Sequence, residues 1–539
     1  MEEFFHPPFF MRNTAPIIFI LAIALASCSS FNGLDYVDPL IGTEGDGTEY
    51  GGMMPYVGVP FGSADWIPMT RLTEVGTLSY NSSDTLLLGF IGTRQPAIWM
   101  GDWGQVSFQP QTGEPVVDYA SRGQRITREE YTPYLSIVEA GGIRTRYSGL
   151  EHSAVFEFSA AEHLIIDVSR IPVGACSDHS PHPGHVDFSE DGMSISGWNS
   201  DRFDASHTSP KPNFRGYFHM TFSRPYAGHE CTGNDEDEAQ CVLCFGPSQK
   251  PLIARIGLSL ISVEQAKANL EREICSKDVD DVADMAKMSW QREFDKLRIE
   301  ADDDVKTIFY TGLYHSLLYP REIDEYGRYY SAFDDSVHDG IMYNCWSMWD
   351  TYRAEHPLLT MLVPERIDDM MQSLVEMYHE GGRLPKWPNP SYTGIMVGSP
   401  AETILAEAFT KGFRGFDLDA AYEAVRKNAM EPQPNDLDLR WQDRGDFGDT
   451  PETRAGLSRY MELGYVAADE TNESVSRIQD FGLQDLAAAV LAEATGHLDD
   501  AEYFRRRSNN YRNLWNDEAK LFLPRNADGS WVDPLSGPH

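Results

Sequence analysis

Positive charge is scarce in this chain. Lys and Arg number 44 against 83 Asp and Glu over 539 residues, a formal net charge of -39. Such a surface repels phosphate backbones and anionic headgroups, so nucleic acid is not an expected partner. It suits a neutral substrate, a cation, or plain solubility. Cysteine is sparse too, at seven residues. Cys241 and Cys244 have metal-knuckle spacing, but no second pair completes four ligands, so bridged or buried thiols are expected. There is no P-loop, no GxSxG elbow and no HExxH, which removes three common catalytic signatures. His179, His182 and His185 recur in threes, yet the prolines between them forbid a helix that would gather them. The acidic run 233–238 lacks the ligand pattern of a calcium loop.

Long apolar runs are also missing, apart from residues 16–26, which are too few to span a bilayer. They follow Met11-Arg12 and end in Leu25-Ala26-Ser27-Cys28, which resembles a bacterial lipobox. Residues 1–28 are therefore expected to be a lipoprotein signal peptide with Cys28 lipidated. The mature chain is then exported, to the outer membrane or periplasm of a Gram-negative bacterium, and meets the membrane through its N-terminal lipid anchor. The plainer alternative is an ordinary signal peptide with Cys28 incidental.

What is present is core-forming material: 41% apolar and 12% aromatic residues. Residues 35–262 carry short apolar runs such as TLLLGFIG (85–92) and HLIIDVS (163–169), punctuated by Gly, Pro, Asp and Ser. That pattern predicts a large antiparallel β-sandwich. Near Val263 the apolar period changes to that of helices, and residues 263–303 read as a helical linker. From 304 to 539 nearly every segment reads as helix, with spans near 305–319, 346–362, 364–378, 400–411, 417–430, 474–495 and 499–516. The expected class is α+β multidomain: an antiparallel sandwich followed by an α/α barrel. A closed barrel of six helical hairpins needs twelve helices, and only about seven are legible, so the barrel is expected to be incomplete, with an apolar flank exposed.

Three stretches look chemical. CWSMWDTYRAEHPLLTML (345–362) holds two Trp, Asp350, Tyr352, Arg353 and Glu355. Asp350 and Arg353 fall three apart on a helix start, where they can share one face. Trp beside a carboxylate is also what a sugar needs, since the ring stacks on the indole while hydroxyls donate to the acid. A buried Asp–Arg tie fits the same residues. GGRLPKWPNPSY (381–392) brings Lys386 and Trp387 into a loop that either lines a pocket or merely connects helices. GTRQPAIWMGDWGQ (92–105) places Trp99 and Asp102 in an aromatic-rich loop between strands.

Taken together these stretches resemble glycoside hydrolase family 92, the calcium-dependent bacterial exo-α-mannosidases. The similarity opens at YVDPLIGTEGDGTEYGGMMPYVGVPFGSADWIPMTR (36–71) and GFIGTRQPAIWMGDWG (89–104). It is strongest at CWSMWDTYRAEHPLLTMLVPERIDDMMQSLVEMYHEGGRLPKWP (345–388). It continues in FTKGFRGFDLDAAYEAVRKNA (409–429) and SVSRIQDFGLQDLAAA (474–489). The resemblance implies a sandwich docked on an (α/α)6 barrel with the site between them, and inverting removal of terminal α-mannose from glycans. In that chemistry an acid protonates the leaving oxygen, and a base roughly 6.5–9.5 Å away activates water. It also implies Ca2+ on the mannose hydroxyls. Trp66, Trp99, Asp102, Asp350, Arg353, Lys386 and Trp387 are the implied sugar-binding positions.

The family's acid lies in a Glu-Gly-Asn-x-Trp segment, its calcium shell in Gly-Asn-Glu-Pro, and its base in Asp-x-Gly-Gln-Met-Ser. None of these occurs here. No catalytic or metal-ligating residue can be assigned, and the chain is expected to be an inactive N-terminal part of a larger enzyme. The alternatives are a non-catalytic glycan-binding surface lipoprotein and, less favoured, a peptide N-glycanase-like relative. Two further departures stand out. The family's Met-Ile-Gly-Asp-His is here Met396-Val-Gly398-Ser399-Pro400, and its Leu-Glu-Tyr is Gln479-Asp480-Phe481.

Overall fold

The structure is a computed structural model describing residues 32–45, 52–72, 78–96, 102–104, 106–169, 183–200, 211–235, 239–393, 396–433 and 454–533. The signal segment with Cys28, and Trp99, lie outside the described residues.

Two antiparallel sheets face each other. One runs, in spatial order, Asp65–Met69, Gly89–Thr93, Ser107–Gln111, His163–Asp167, Gln240–Cys244 and Gly228–Thr232. The other runs Gly184–Phe188, Ser194–Asn199, Gly216–Phe222, Leu252–Ser259, Ser153–Phe158, Ile143–Gly149, Ser136–Ala140, Gln124–Tyr131 and Leu86–Leu87. Period-2 alternation puts Phe90, Phe108, Leu164, Ile166 and Leu243 of the first sheet against Tyr147, Phe156, Phe158, Phe218 and Ile256 of the second. Cys231 and Cys241 sit at facing positions of the edge pair and form a disulfide.

Two helices follow. Val263–Glu273 starts where the Ser262 side chain accepts from the Gln265 N–H, and Val279–Phe294 starts in an Asp278/Asp281 capping box. The first lies so close to the sheet that a β-carbon on Gly257 would stand 2.2 Å from the Ala266 carbonyl oxygen. The second donates the Trp290 indole N–H to the Gly58 carbonyl at 2.9 Å.

The helical unit contains Asp303–Ser316, Met348–Thr351, Glu355–Leu362, Pro364–Gly381, Pro400–Thr410, Leu418–Met430, Leu457–Leu463, Ser474–Ala494 and Leu498–Arg507. Three sequence expectations need correcting. A single helix over 346–362 is broken, because Pro357 lacks an N–H and its ring would clash with the carbonyl of Arg353. The pieces therefore end at Thr351 and restart at Glu355. The helix expected to reach 516 ends at Arg507 and gives way to a 3-10 turn and the short pair Trp515–Asn516/Leu521–Phe522, since Ser508, Asn509 and Asn510 compete for backbone bonds. Residues 321–344, expected as helix and loop, contain the strand pairs Arg321–Glu322/Tyr343–Asn344 and Arg328–Ser331/Ser336–Asp339. On Ser474–Ala494, Leu483 and Leu486 stand exposed between two grooves of about 390 and 250 Å³.

Sandwich and helices share one core: Met54, Tyr56, Ile67, Met69 and Ile91 pack with Tyr314, Trp346, Met370 and Leu374. Polar ties complete the junction. The fully buried Arg321 donates to Asp65 at 2.8 Å and to the Gly62 carbonyl at 2.7 Å. His152 pairs with Glu273 at 2.8 Å and its other ring nitrogen meets the Asp324 carbonyl at 3.0 Å.

Candidate functional site

The short helix Met348–Thr351 and the turn after it present Trp349, Asp350, Tyr352 and Arg353, and Glu355 opens the next helix. The loop after Pro364–Gly381 brings in Trp387, and the helix Ser474–Ala494 contributes Asp480 from over a hundred residues away. Asp350 and Arg353 are the exposed members of the group, while Trp387 is buried at 4% exposed.

Burial and neighbouring groups act on these carboxyls together. Burial raises the pKa of Asp350, and the Trp387 indole N–H and the Arg353 guanidinium facing it pull it back. Burial likewise raises Asp480, opposed by Arg353 and the Trp349 indole. Arg353 lies 4.4 Å from the ring centroids of both Trp349 and Tyr352, so it is a cation stacked on the site's aromatic rings. Glu355 is pushed up to about 8, first by burial and then by the Asp350 charge. At neutral pH the site thus offers the protonated Glu355 beside Asp350, framed by indoles. Such a set can accept and donate hydroxyl hydrogen bonds.

The expected positions divide. Asp350, Arg353 and Trp387 come together, with Lys386 in the same loop and 8% exposed. Trp66 does not join them. It is 1% exposed, packed on Phe108 and Phe156 within the sandwich, so no ring face is open to a ligand. Asp102 is 2% exposed, and its carboxylate accepts from the backbone N–H groups of Arg94, Gln95 (2.9 Å) and Trp103 (2.8 Å). It braces the loop, and the neighbouring Trp103 donates its indole N–H to Asn389, fastening the sandwich to the loop that carries Trp387. Sequence reasoning left Trp349, Glu355 and Asp480 out of the binding set. The signal available for Asp480 was its departure from the family pattern. For Trp349 and Glu355 it was adjacency to Asp350.

Among the described residues no three His, Cys, Asp or Glu side chains converge as a metal requires. The site's carboxyls face indoles and a guanidinium, a donor set unlike the six to eight oxygens that calcium takes. These side chains do not fit the calcium implied by the resemblance.

The model for the glycosyl hydrolase family 92 catalytic domain matches residues 265–538, and that for the family 92 N-terminal domain matches residues 36–259. The chain belongs to glycosyl hydrolase family 92. Its fold is similar to that of a family 92 inverting mannosidase from Bacteroides thetaiotaomicron, with a TM-score of 0.84, 29% identity, and coverage of 95% of this chain and 69% of the other. A family 92 α-mannosidase of the same organism, 24% identical, shares the fold with a TM-score of 0.80, covering 94% of this chain and 69% of that one. An uncharacterized secreted glycosidase of Arthroderma benhamiae is 26% identical over 319 residues, 54% of this chain. The match spans about a third of that relative's length, 35%. No helix among the described residues is long and apolar enough to cross a membrane.

Proposed function

We propose that this family 92 protein serves the removal of terminal α-linked mannose from glycans by inverting hydrolysis, and that the site around Asp350 captures the terminal sugar. The observation that carries the reading is the convergence of Asp350, Trp387, Trp349 and Arg353 beside the sandwich–helix junction. In this reading the Asp350 carboxylate accepts hydroxyl hydrogen bonds and the protonated Glu355 donates one. Trp387 and the Arg353–Trp349 stack exclude water and fix the ring. Family membership and the mannosidase structures of the same fold support the substrate class. Calcium, where the family's chemistry uses it, would polarise the sugar hydroxyls, but its ligands are not among the residues described above. We also assign the protein to the exported class, anchored through Cys28, supported by the lipobox-like Leu25-Ala26-Ser27-Cys28 and the secreted relative.

The 539 residues lack the family's acid, base and calcium-shell motifs, so this chain by itself binds mannosides without turning them over. That is also what a purely glycan-binding lipoprotein would do. The test is incubation of the purified chain with α-mannobiose, with calcium and with EDTA. No mannose above blank is expected in either case. Release that EDTA abolishes would contradict the assignment of inactivity and show that the catalytic groups lie among residues given no role here.

A further inference from the structure

Three parts of the molecule meet on one imidazole. His152 occupies the turn between the sandwich strands Ile143–Gly149 and Ser153–Phe158, and Glu273 is the last residue of the helix Val263–Glu273. Asp324, Glu325 and Tyr326 follow the strand Arg321–Glu322 of the helical unit. His152, Glu273, Asp324 and Glu325 are all buried. The ring Nδ1 stands 2.8 Å from Glu273 Oε1, and Nε2 stands 3.0 Å from the Asp324 carbonyl oxygen. A backbone carbonyl only accepts, and so does an ionised carboxylate. Each ring nitrogen therefore faces an acceptor, and the ring satisfies both only as imidazolium.

The surroundings hold Glu273 in its accepting role. Its Oε1 also takes the Tyr326 hydroxyl at 2.6 Å, and its Oε2 takes the His152 backbone N–H at 3.1 Å. The other charged groups are engaged nearby. Arg272 lies 3.5 Å from the Tyr326 ring centroid, and Lys277 donates to the Glu273 carbonyl at 3.0 Å. Asp324 accepts the backbone N–H of Gly327 at 3.0 Å and of Met342 at 3.2 Å. Glu325 accepts the Leu260 N–H at 2.7 Å and the Asn269 amide at 2.8 Å, and Glu151 adjoins His152 in the chain.

We propose that His152 is a pH-sensitive pin: as imidazolium it fastens the sandwich, the helix Val263–Glu273 and the helical unit to one another, and loss of one ring proton loosens that junction. With either nitrogen deprotonated, a lone pair meets an acceptor inside the protein and one of the two bonds is lost. Burial opposes the ring's charge, but the Glu273 bond and charge, with Glu325 and Glu151, raise its pKa to about 9. Burial also works against the Glu273 anion, yet the His152 and Tyr326 bonds bring that carboxyl below its ordinary 4.5. The folded chain thus keeps a proton that the unfolded chain releases near 6.5. The pin's contribution is complete below about 6.5, fades as pH rises to about 9, and on the acid side persists until Glu273 is protonated, below 4.5.

Hydrogen exchange of the full chain, read by mass spectrometry in segments 263–273 and 321–328 and corrected for the intrinsic rate at each pH, follows the junction from pH 6 to 10. Protection of both segments is expected to fall together, with a midpoint near pH 9. His152→Gln is expected to be as open at pH 7 as the unaltered chain is at pH 10, with no midpoint. Glu273→Gln keeps the side chain's shape without its charge, and is expected to lower the midpoint by about one pH unit or more. It carries the test if His152→Gln does not fold. Flat protection in the unaltered chain from pH 6 to 10, or a midpoint that Glu273→Gln leaves in place, overturns the proposal. A histidine with a merely structural role would lower protection by the same factor at every pH when replaced, and that result overturns it too.

Discussion

At Glu355 two opposing fields act on one carboxyl. It sits in the first turn of a helix, where the backbone dipole favours negative charge by about 0.3–1 kcal/mol. Burial and the neighbouring Asp350 outweigh this and carry its pKa from 4.5 to about 8. The folded protein therefore holds a proton that the unfolded chain releases, and this group lowers stability progressively as pH rises from about 4.5 toward 8. Glu355→Gln carries no such proton. Melting curves of the two proteins between pH 5 and 8 should diverge, with the variant gaining relative to the unaltered chain as pH rises. Parallel curves would contradict the assignment. Asp350 was legible in sequence because Trp and acid sit together in one short stretch. Trp66 was not, because residue type does not tell whether an indole lines a cleft or fills a core, and here Phe108 and Phe156 enclose it.

Among the elements, the helices Pro400–Thr410, Leu457–Leu463 and Ser474–Ala494 are locked by buried charges. Arg454 donates to Glu402 at 2.5 Å and to Asp485, which also accepts from Arg507 Nε at 2.7 Å. Arg454, Glu402 and Asp485 have fully buried side chains, and burial raises Glu402 to about 7 even with Arg454 beside it. Arg454→Ala would leave two carboxyls facing each other without their shared cation. Urea unfolding should show a loss of roughly 3–5 kcal/mol. A loss under about 1 kcal/mol would mean that water reaches these groups. The helix Pro364–Gly381 was legible from its period, its Pro start and its Gly-Gly end. The strand pairs of 321–344 were not, because they run for two to four residues each and are too short to show alternation. Lone polar residues inside helices, such as Asp485, gave no sign of their partners, which stand 22 to 31 positions away in sequence.

For the whole molecule, the division into a β unit and a helical unit could be read from the change of apolar period at Val263. How the units dock could not, because the contacts join residues remote in sequence: Arg321 to Asp65 across 256 positions and Trp103 to Asn389 across 286. That docking gives the Asp350 group its setting. The shared core fixes the helices against the outer face of the sandwich, and the Trp103–Asn389 bond holds the loop carrying Trp387 behind the carboxylate. The central claim is that this setting captures an α-mannoside through Asp350, and calorimetric titration of methyl α-mannoside into the unaltered chain and Asp350→Asn tests it most directly. Saturable binding that weakens about ten-fold or more in the variant, at unchanged melting temperature, is the predicted result, since a hydrogen bond to a charged group is worth about 1.5–3 kcal/mol. Equal affinity in the two proteins, or no binding by either, would contradict it.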